Sequence, residues 1–494
     1  MGNRFNLVDE AWIPVADEGR VSLRQLFSNP AYRALGGNPV QKLAVMKLLL
    51  AIAQAAATPQ DEDEWRNLGA NGLAQACLHY LDKWRDRFWL YGERPFLQMP
   101  AIAAAKEQAF GAVLPDVSTG NTTVLNQSQI EKELSNADRA LLVLSLMGFA
   151  LSGKKTDNSV TLTAGYTGKK NDKGKPSSSK PGPAVAHMGL LHTHLIADTL
   201  QETLWLNLLS HQQINGTNLF PEGLGIPPWE QMPEGEDCPV AQRLKRTLIG
   251  RLIPLSRFFL LTETGLHYSE GLLHPGYKEG VSDPTVAINH SGKEPKALWT
   301  DPEKRPWREL TSLLGFIGHE QSQGFQCWQL TTGVDRARNV CERFGIWSGG
   351  LRVSSNAGEQ YASGSDDFVE SVLWLYSDVF GETWFSQLKL EMNALEQNAK
   401  TLYGRVLGFF KDQKVDGAKL AAQATHLFWQ LCERDFQALV DGCEQEGVRD
   451  QLRRRFADYV HQAFDRYCPR DTARQLDAWA KNRPNLSKYL KQES

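Results

Sequence analysis

Hydrophobic positions fall at helical spacing over four long stretches near the C-terminal end of the chain: roughly Trp384–Lys411, Gly417–Glu446, Val448–Tyr467 and Thr472–Leu490. Glycine and proline are nearly absent inside these stretches and mark their ends, as helix boundaries require. Four such runs joined by short connections predict an antiparallel four-helix bundle. Upstream the pattern is shorter and mixed. Residues 4–15 alternate apolar and polar and reach Trp12, Ile13, Pro14 and Val15, which predicts a strand ending in a turn. Leu43, Met46, Leu50 and Ala53 predict a helix over Val40–Ala57, and Asp61–Trp84 a second, interrupted near Gly69 and Gly72. Phe88–Tyr91 reads as a short aromatic strand, Ala137–Ser152 as an apolar helix, and Leu252–Leu261 with Gly265–Tyr268 as paired strands. Phe368–Val379 reads as a helix-like run. The change of character near Asp367–Gly381 divides the chain into a domain over 1–367 and a bundle over 368–494.

Three polar stretches interrupt this pattern. Gly349–Asp367 is long, rich in small residues and flanked by apolar Phe344, Ile346 and Trp347. It buries little and belongs outside the fold, either as a linker or as a rigid polar wedge offered to a large partner. Gly349, Gly350, Gly358 and Gly364 allow turns there, and Ser354, Ser355, Asn356 and Gln360 supply donors and acceptors near the tip. Residues 115–131 form a second loop rich in Asn, Thr and Ser. Residues 153–183 carry Lys154, Lys155, Lys169, Lys170, Lys173, Lys175 and Lys180 against only Asp157 and Asp172. That loop is either a solvated insertion or a polycation that tracks phosphates and makes binding salt-dependent.

The totals narrow the class. The chain has 494 residues, 41% hydrophobic, so several domains with a real core are expected. The formal net charge is −3, so any nucleic-acid surface must be local. Seven cysteines, odd in number and without a CxxC pair, fit a reducing cytoplasm. The N-terminus lacks a signal-peptide core, and the longest apolar runs, such as Leu43–Ala57, are too short or too polar to span a bilayer, so a cytoplasmic location is expected.

Candidate chemistry changes the picture mainly by being thin. Gly148–Lys155 matches GxxxxGK but lacks the final Ser or Thr and follows a helix, not a strand. His187, His192 and His194 ride an apolar stretch without Cys or carboxylate at ligand spacing, so core or capping roles are expected, with no metal and no cofactor. Asp366 and Asp367, just before Phe368, fit an N-cap better than a catalytic pair. No GxSxG, HExxH or DxD stands in a suitable context, which points away from an enzyme. Arg453, Arg454, Arg455, Arg466, Arg470 and Arg474 cannot all share one helix face, and Asp458, Glu444 and Asp465 are candidate internal partners for some of them.

Several short phrases in order carry a resemblance. Phe5-Asn6-Leu7 precedes Trp12-Ile13-Pro14-Val15. Pro95-Phe96-Leu97-Gln98 follows, then Val124-Leu125-Asn126-Gln127, then Gly349-Gly350 leading to Ser355-Asn356-Ala357, and a helical bundle closes the chain. In this order the chain resembles the large-subunit (CasA) family of the type I-E CRISPR surveillance complex, Cascade. The resemblance implies an α+β fold: a large mixed N-terminal domain of unusual topology followed by a C-terminal four-helix bundle. It implies a non-enzymatic subunit that recognises the protospacer-adjacent motif in double-stranded DNA, starts strand separation and helps recruit a nuclease-helicase. Its partners would be target DNA, CRISPR RNA and the other Cascade subunits. By resemblance, Val124, Asn126 and Gln127 lie in a loop that docks near the RNA 5′ handle, with Val124 where the family can carry an aromatic. Lys169, Lys170, Lys173, Gly174 and Lys175 occupy the place of a glycine-rich motif-contacting loop. Ser355, Asn356 and Ala357 fall at the family's wedge, with Gln360 as the alternative register. Lys278, the only lysine between Leu261 and Gly292, matches a lysine finger for the minor groove.

Overall fold

The computed structural model describes residues 4–114, 133–149, 159–163, 189–318, 324–356, 359–361 and 367–491, with backbone alone at 355, 356 and 359–361. Val124, Asn126, Gln127, Lys169, Lys170, Lys173, Gly174, Lys175 and Ala357 lie outside the described residues. The chain forms two compact units. One comprises Met1–Pro306, Phe325–Ala337 and Gly345–Val372; the other comprises Trp307–Gly324, Arg338–Phe344 and Leu373–Ser494.

The first unit is organised on the helix Pro39–Ala57. Asn38 caps it, its side chain accepting from Gln41 N while the Gln41 side chain returns to Asn38 N, and Pro39 opens the first turn. At 19 residues this helix is long and apolar enough to cross a bilayer, contrary to the expectation drawn from Leu43–Ala57. It is instead the core helix of the unit, with Leu43, Met46, Leu49 and Ile52 buried. The helices Glu62–Trp84, Asn136–Phe149, Leu200–Asn207 and Leu248–Leu252 pack against it. Gly69, with φ 61° and ψ 172°, breaks the Glu62–Trp84 helix where the sequence suggested an interruption. Trp65 stacks on Trp205 at 4.2 Å, and each indole N–H donates to the other residue's carbonyl.

The sheets are small. Ile13–Val15 pairs with Gly19–Val21, so the N-terminal strand is shorter than the alternation predicted. Phe88–Tyr91 is not a strand; it contributes a single bridge from Trp89 to Asn6. Phe259–Leu261 and Gly265–Tyr268 pair antiparallel as expected, and Glu107–Ala109 joins their other edge. The residues before them form the helix Leu248–Leu252. A third sheet runs in the order Phe368–Tyr376, Arg343–Leu351, His192–Ile196. Phe368–Tyr376 is thus a strand, not the expected helix. Its mixture of aromatic and branched apolar residues suits either state, and the neighbouring strand decides.

The second unit contains the predicted helices. They are Glu382–Asp412, Ala418–Gly442, Glu446–Tyr467 and Ala473–Asn482; the last is shorter than the expected Thr472–Leu490, because Pro484 ends it and leaves a separate short helix Ser487–Leu490. Thr472 and Gln475 form a capping box for the fourth. Arg453 forms a buried ion pair with Glu391, joining the first and third helices. Arg455 pairs with Asp435, and Asp465 pairs with Arg483. Arg453 and Arg455 thus serve the bundle internally through Glu391 and Asp435, which were not the acids expected, while the expected acid Asp465 is taken by Arg483. The chain is α+β with a C-terminal helical bundle.

Candidate nucleic-acid interface

The third sheet carries the candidate wedge. His192–Ile196 pairs antiparallel with Gly345–Gly349, setting His192 opposite Gly349 and His194 opposite Trp347. The histidines are core residues. The His194 ring stacks on Trp347 at 4.8 Å, and His192 Nδ1 lies 2.8 Å from Thr285 Oγ1. Burial pushes both imidazoles down to about 3; Lys47 adds to this in both, and Asp283 partly opposes it at His192.

Gly349 and Gly350 belong to the strand Arg343–Leu351 and are not turn residues. Their missing side chains are needed for contact. A Cβ at Gly350 would lie 2.3 Å from Thr300 Oγ1 and 2.8 Å from the Leu190 carbonyl. Beyond the strand, the Arg352 amide donates to the Asp367 carbonyl at 2.9 Å, and Arg352 Nε donates to Asp367 Oδ1 at 2.9 Å. Asp367 therefore closes the neck of the polar stretch instead of capping a helix, because no helix follows it. Beyond the neck, Ser354–Asn356 and Glu359–Tyr361 form an antiparallel hairpin. Its register sets Ser354 opposite Tyr361, Ser355 opposite Gln360 and Asn356 opposite Glu359. The described part of the stretch expected to be a linker or a wedge thus contains a short ladder, and Asn356 and Gln360, one from each candidate wedge register, lie on its two strands.

Lys278 sits in the short turn Tyr277–Glu279, which ends at left-handed Gly280 with φ 80°. Its side chain is 60% exposed, and Nζ lies 3.1 Å from Glu294 Oε2, itself 75% exposed. The hydrogen bond and charge of Glu294 raise the ammonium pKa, so it stays charged. An exposed ion pair of this kind holds weakly and can exchange for a phosphate. The turn and the hairpin's sheet share a foundation. Tyr277 packs on the cluster Leu190, Val286, Ile288 and Ala297, and Leu190 also backs Gly350.

Several supporting residues escaped the sequence reading. Lys47 forms a buried ion pair with Asp283 and donates to the Arg251 carbonyl at 3.2 Å. Burial works to raise the Asp283 carboxyl, but Lys47 and the Thr285 hydroxyl hold it below its ordinary value. Glu270, fully buried, accepts from the amides of Leu162 and Thr163 at 2.7 and 2.9 Å, tying down two residues within the 153–183 stretch, ahead of Lys169. A charged residue inside an apolar stretch, as at Lys47, is the only local signal for such pairs. Among the described residues no group of His, Cys, Asp and Glu could hold a metal. The seven cysteines are free thiols, five of them buried.

The family model for CRISPR-associated protein Cse1 (CRISPR_cse1) matches residues 6–467, which makes the chain one of the CRISPR-associated proteins. The chain belongs to the Cse1 family. A relative described as CRISPR-associated protein CasA/Cse1, from Thermus thermophilus, is 28% identical over 338 residues. That match spans 63% of this chain and 60% of the relative, less than two thirds of the relative's length. The crystal structure of Thermus thermophilus CasA superposes with a TM-score of 0.75 at 20% identity, covering 99% of both chains. Thermobifida fusca Cse1 gives 0.74 at 20% identity, covering 99% of this chain and 98% of that one. A chain from a structure titled CRISPR RNA-guided surveillance complex gives 0.66 at 14% identity, covering 98% and 99%. At these identities the superpositions show the fold.

Proposed function

We propose that this chain is the large subunit of a type I-E Cascade complex, which recognises a protospacer-adjacent motif in double-stranded DNA and opens the duplex there. It makes and breaks no covalent bond. The observation that carries this reading is the short polar hairpin Ser354–Asn356/Glu359–Tyr361, raised from the end of a core strand in a member of the Cse1 family. The minor groove offers a degenerate pattern of donors and acceptors, so short amide and backbone groups read it coarsely. A tip pushed between base steps must repay unstacking of about a few kcal/mol. Guide RNA pairing with the freed strand supplies that, because exchange of the two duplexes is nearly balanced.

In this reading Ser355, Asn356, Ala357 and Gln360 form the wedge and Lys278 contacts the groove. Lys169, Lys170, Lys173 and Lys175, with Gly174, hold phosphates beside the motif. Val124, Asn126 and Gln127 dock against the complex near the RNA handle, and the chain helps recruit the nuclease-helicase. The test uses the assembled complex. Asn356→Ala combined with Gln360→Ala weakens binding to motif-containing duplex far more than to the same DNA already opened beside the motif. Equal losses on both substrates overturn the wedge.

A further inference from the structure

The hairpin is too small to hold its own position. Two strands of three residues are marginal in isolation, and short polar strands specify their register poorly. Its placement must come from its base. The described strands of the hairpin, Ser354–Asn356 and Glu359–Tyr361, lie in sequence between Arg352 and Asp367. At that neck the backbone bond from the Arg352 amide to the Asp367 carbonyl is joined by two side-chain contacts. Arg352 Nε and Nη2 lie 2.9 and 2.8 Å from the same carboxylate oxygen. The neck is fixed from both sides. Before it, Gly350 is wedged against Thr300 and Leu190. After it, Val369 is buried and the Glu370 carboxylate takes hydrogen bonds from Trp347 Nε1 at 2.8 Å and Lys42 Nζ at 2.7 Å.

We infer that Arg352 and Asp367 are a positioning pair that sets the register and height of the Ser354–Tyr361 hairpin above its sheet; this rests on the reading of that hairpin as a duplex-opening wedge. The pair is asymmetric in a way that suits the role. The Asp367 side chain is 5% exposed and the Arg352 side chain 42%. The carboxylate is therefore part of the fold, and the planar guanidinium is the piece clamped onto it from the solvent side. A guanidinium fixes direction as well as charge, which lysine in the same place does not. Engagement with Asp367 also offsets the charge that a phosphate contact would use.

The experiment measures binding of the assembled complex to motif-containing duplex and to the same DNA opened beside the motif, with this chain carrying Arg352→Ala, Arg352→Lys, Asp367→Asn or Arg352→Ala with Asp367→Asn. The expected result is a loss of about tenfold on closed duplex, the size of one charge-assisted hydrogen bond, with little change on opened DNA. Arg352→Lys shares that loss although it keeps the charge. The double variant is no worse than either single one, as contacts within one pair require. Arg352→Lys also keeps the test available should Asp367→Asn assemble poorly. A loss on both substrates for Arg352→Ala, with the salt slope reduced by about 0.9 and Asp367→Asn silent, makes Arg352 a phosphate contact and overturns the inference. Silence of all four, while Asn356→Ala with Gln360→Ala still discriminates the substrates, removes the positioning pair and leaves the wedge standing. Equal losses from that Asn356/Gln360 variant on both substrates remove the wedge itself.

Discussion

Acidification should unfold the first unit through three buried histidines whose neutral forms the structure enforces. His192 Nδ1 faces Thr285 Oγ1, and that hydroxyl donates onward to Asp283 Oδ1 at 2.5 Å. The imidazole therefore donates through Nδ1–H, and Nε2 has no hydrogen-bond partner among the described residues. His274 Nδ1 accepts from Arg251 Nη1 at 3.1 Å, while Nε2–H donates to the Pro254 carbonyl at 2.8 Å. A second proton there would face a guanidinium. His194 stacks on Trp347, and its Nδ1 has no hydrogen-bond partner among the described residues. Burial, assisted by Lys47 or Arg251, depresses each from the ordinary 6.5 to about 3. Below pH 6.5 the unfolded chain takes up protons that the native unit refuses, so stability falls as pH drops from about 6.5 towards 3. At 1.36 kcal/mol per pH unit, each histidine costs about 2 kcal/mol at pH 5, or about 6 kcal/mol for the three. That is comparable with the total stability of an ordinary domain, about 5–15 kcal/mol. The assay is denaturant unfolding followed by tryptophan fluorescence at several pH values. His274→Gln keeps one acceptor for Arg251 and one donor for Pro254 while removing a titrating group. It should flatten the decline by about one third. A midpoint that stays level from neutral pH to pH 5, or a His274→Gln slope equal to the parent's, refutes the reasoning.

Two further outcomes follow from electrostatics and packing. Replacing Lys169, Lys170, Lys173 and Lys175 with alanine should flatten the salt dependence of DNA binding by about 0.9 in logarithmic slope for each lysine that holds a phosphate; an unchanged slope returns the stretch to a solvated insertion. Gly350→Ala should destabilise by about 1–3 kcal/mol in thermal or denaturant unfolding, because its Cβ meets the Leu190 backbone at 2.8 Å as well as the Thr300 hydroxyl, and the backbone cannot swing away.

The bundle helices were legible because their information is local. Apolar spacing, the Thr472 cap and the break at Gly417 lie within a few residues of what they specify, whereas Pro484 cuts short the run expected over Thr472–Leu490. The Pro39–Ala57 and Glu62–Trp84 helices, with the break at Gly69, were readable for the same reason. Family membership was legible too, since short phrases kept their order along the chain. What the amino-acid order could not settle depends on partners far away. Phe368–Tyr376 is a strand because Arg343–Leu351 lies beside it. Gly350 is glycine because residues 190 and 300 crowd its backbone, a contact that no turn rule anticipates. Lys47 reads as an oddity in an apolar helix until Asp283 arrives from 236 residues away to neutralise it. Asp367 looks like a cap until Arg352 claims its carboxylate. Local periodicity is written in neighbouring residues; strand pairing, close approach and buried charge are decided by which distant segments meet, and only the folded chain brings those together.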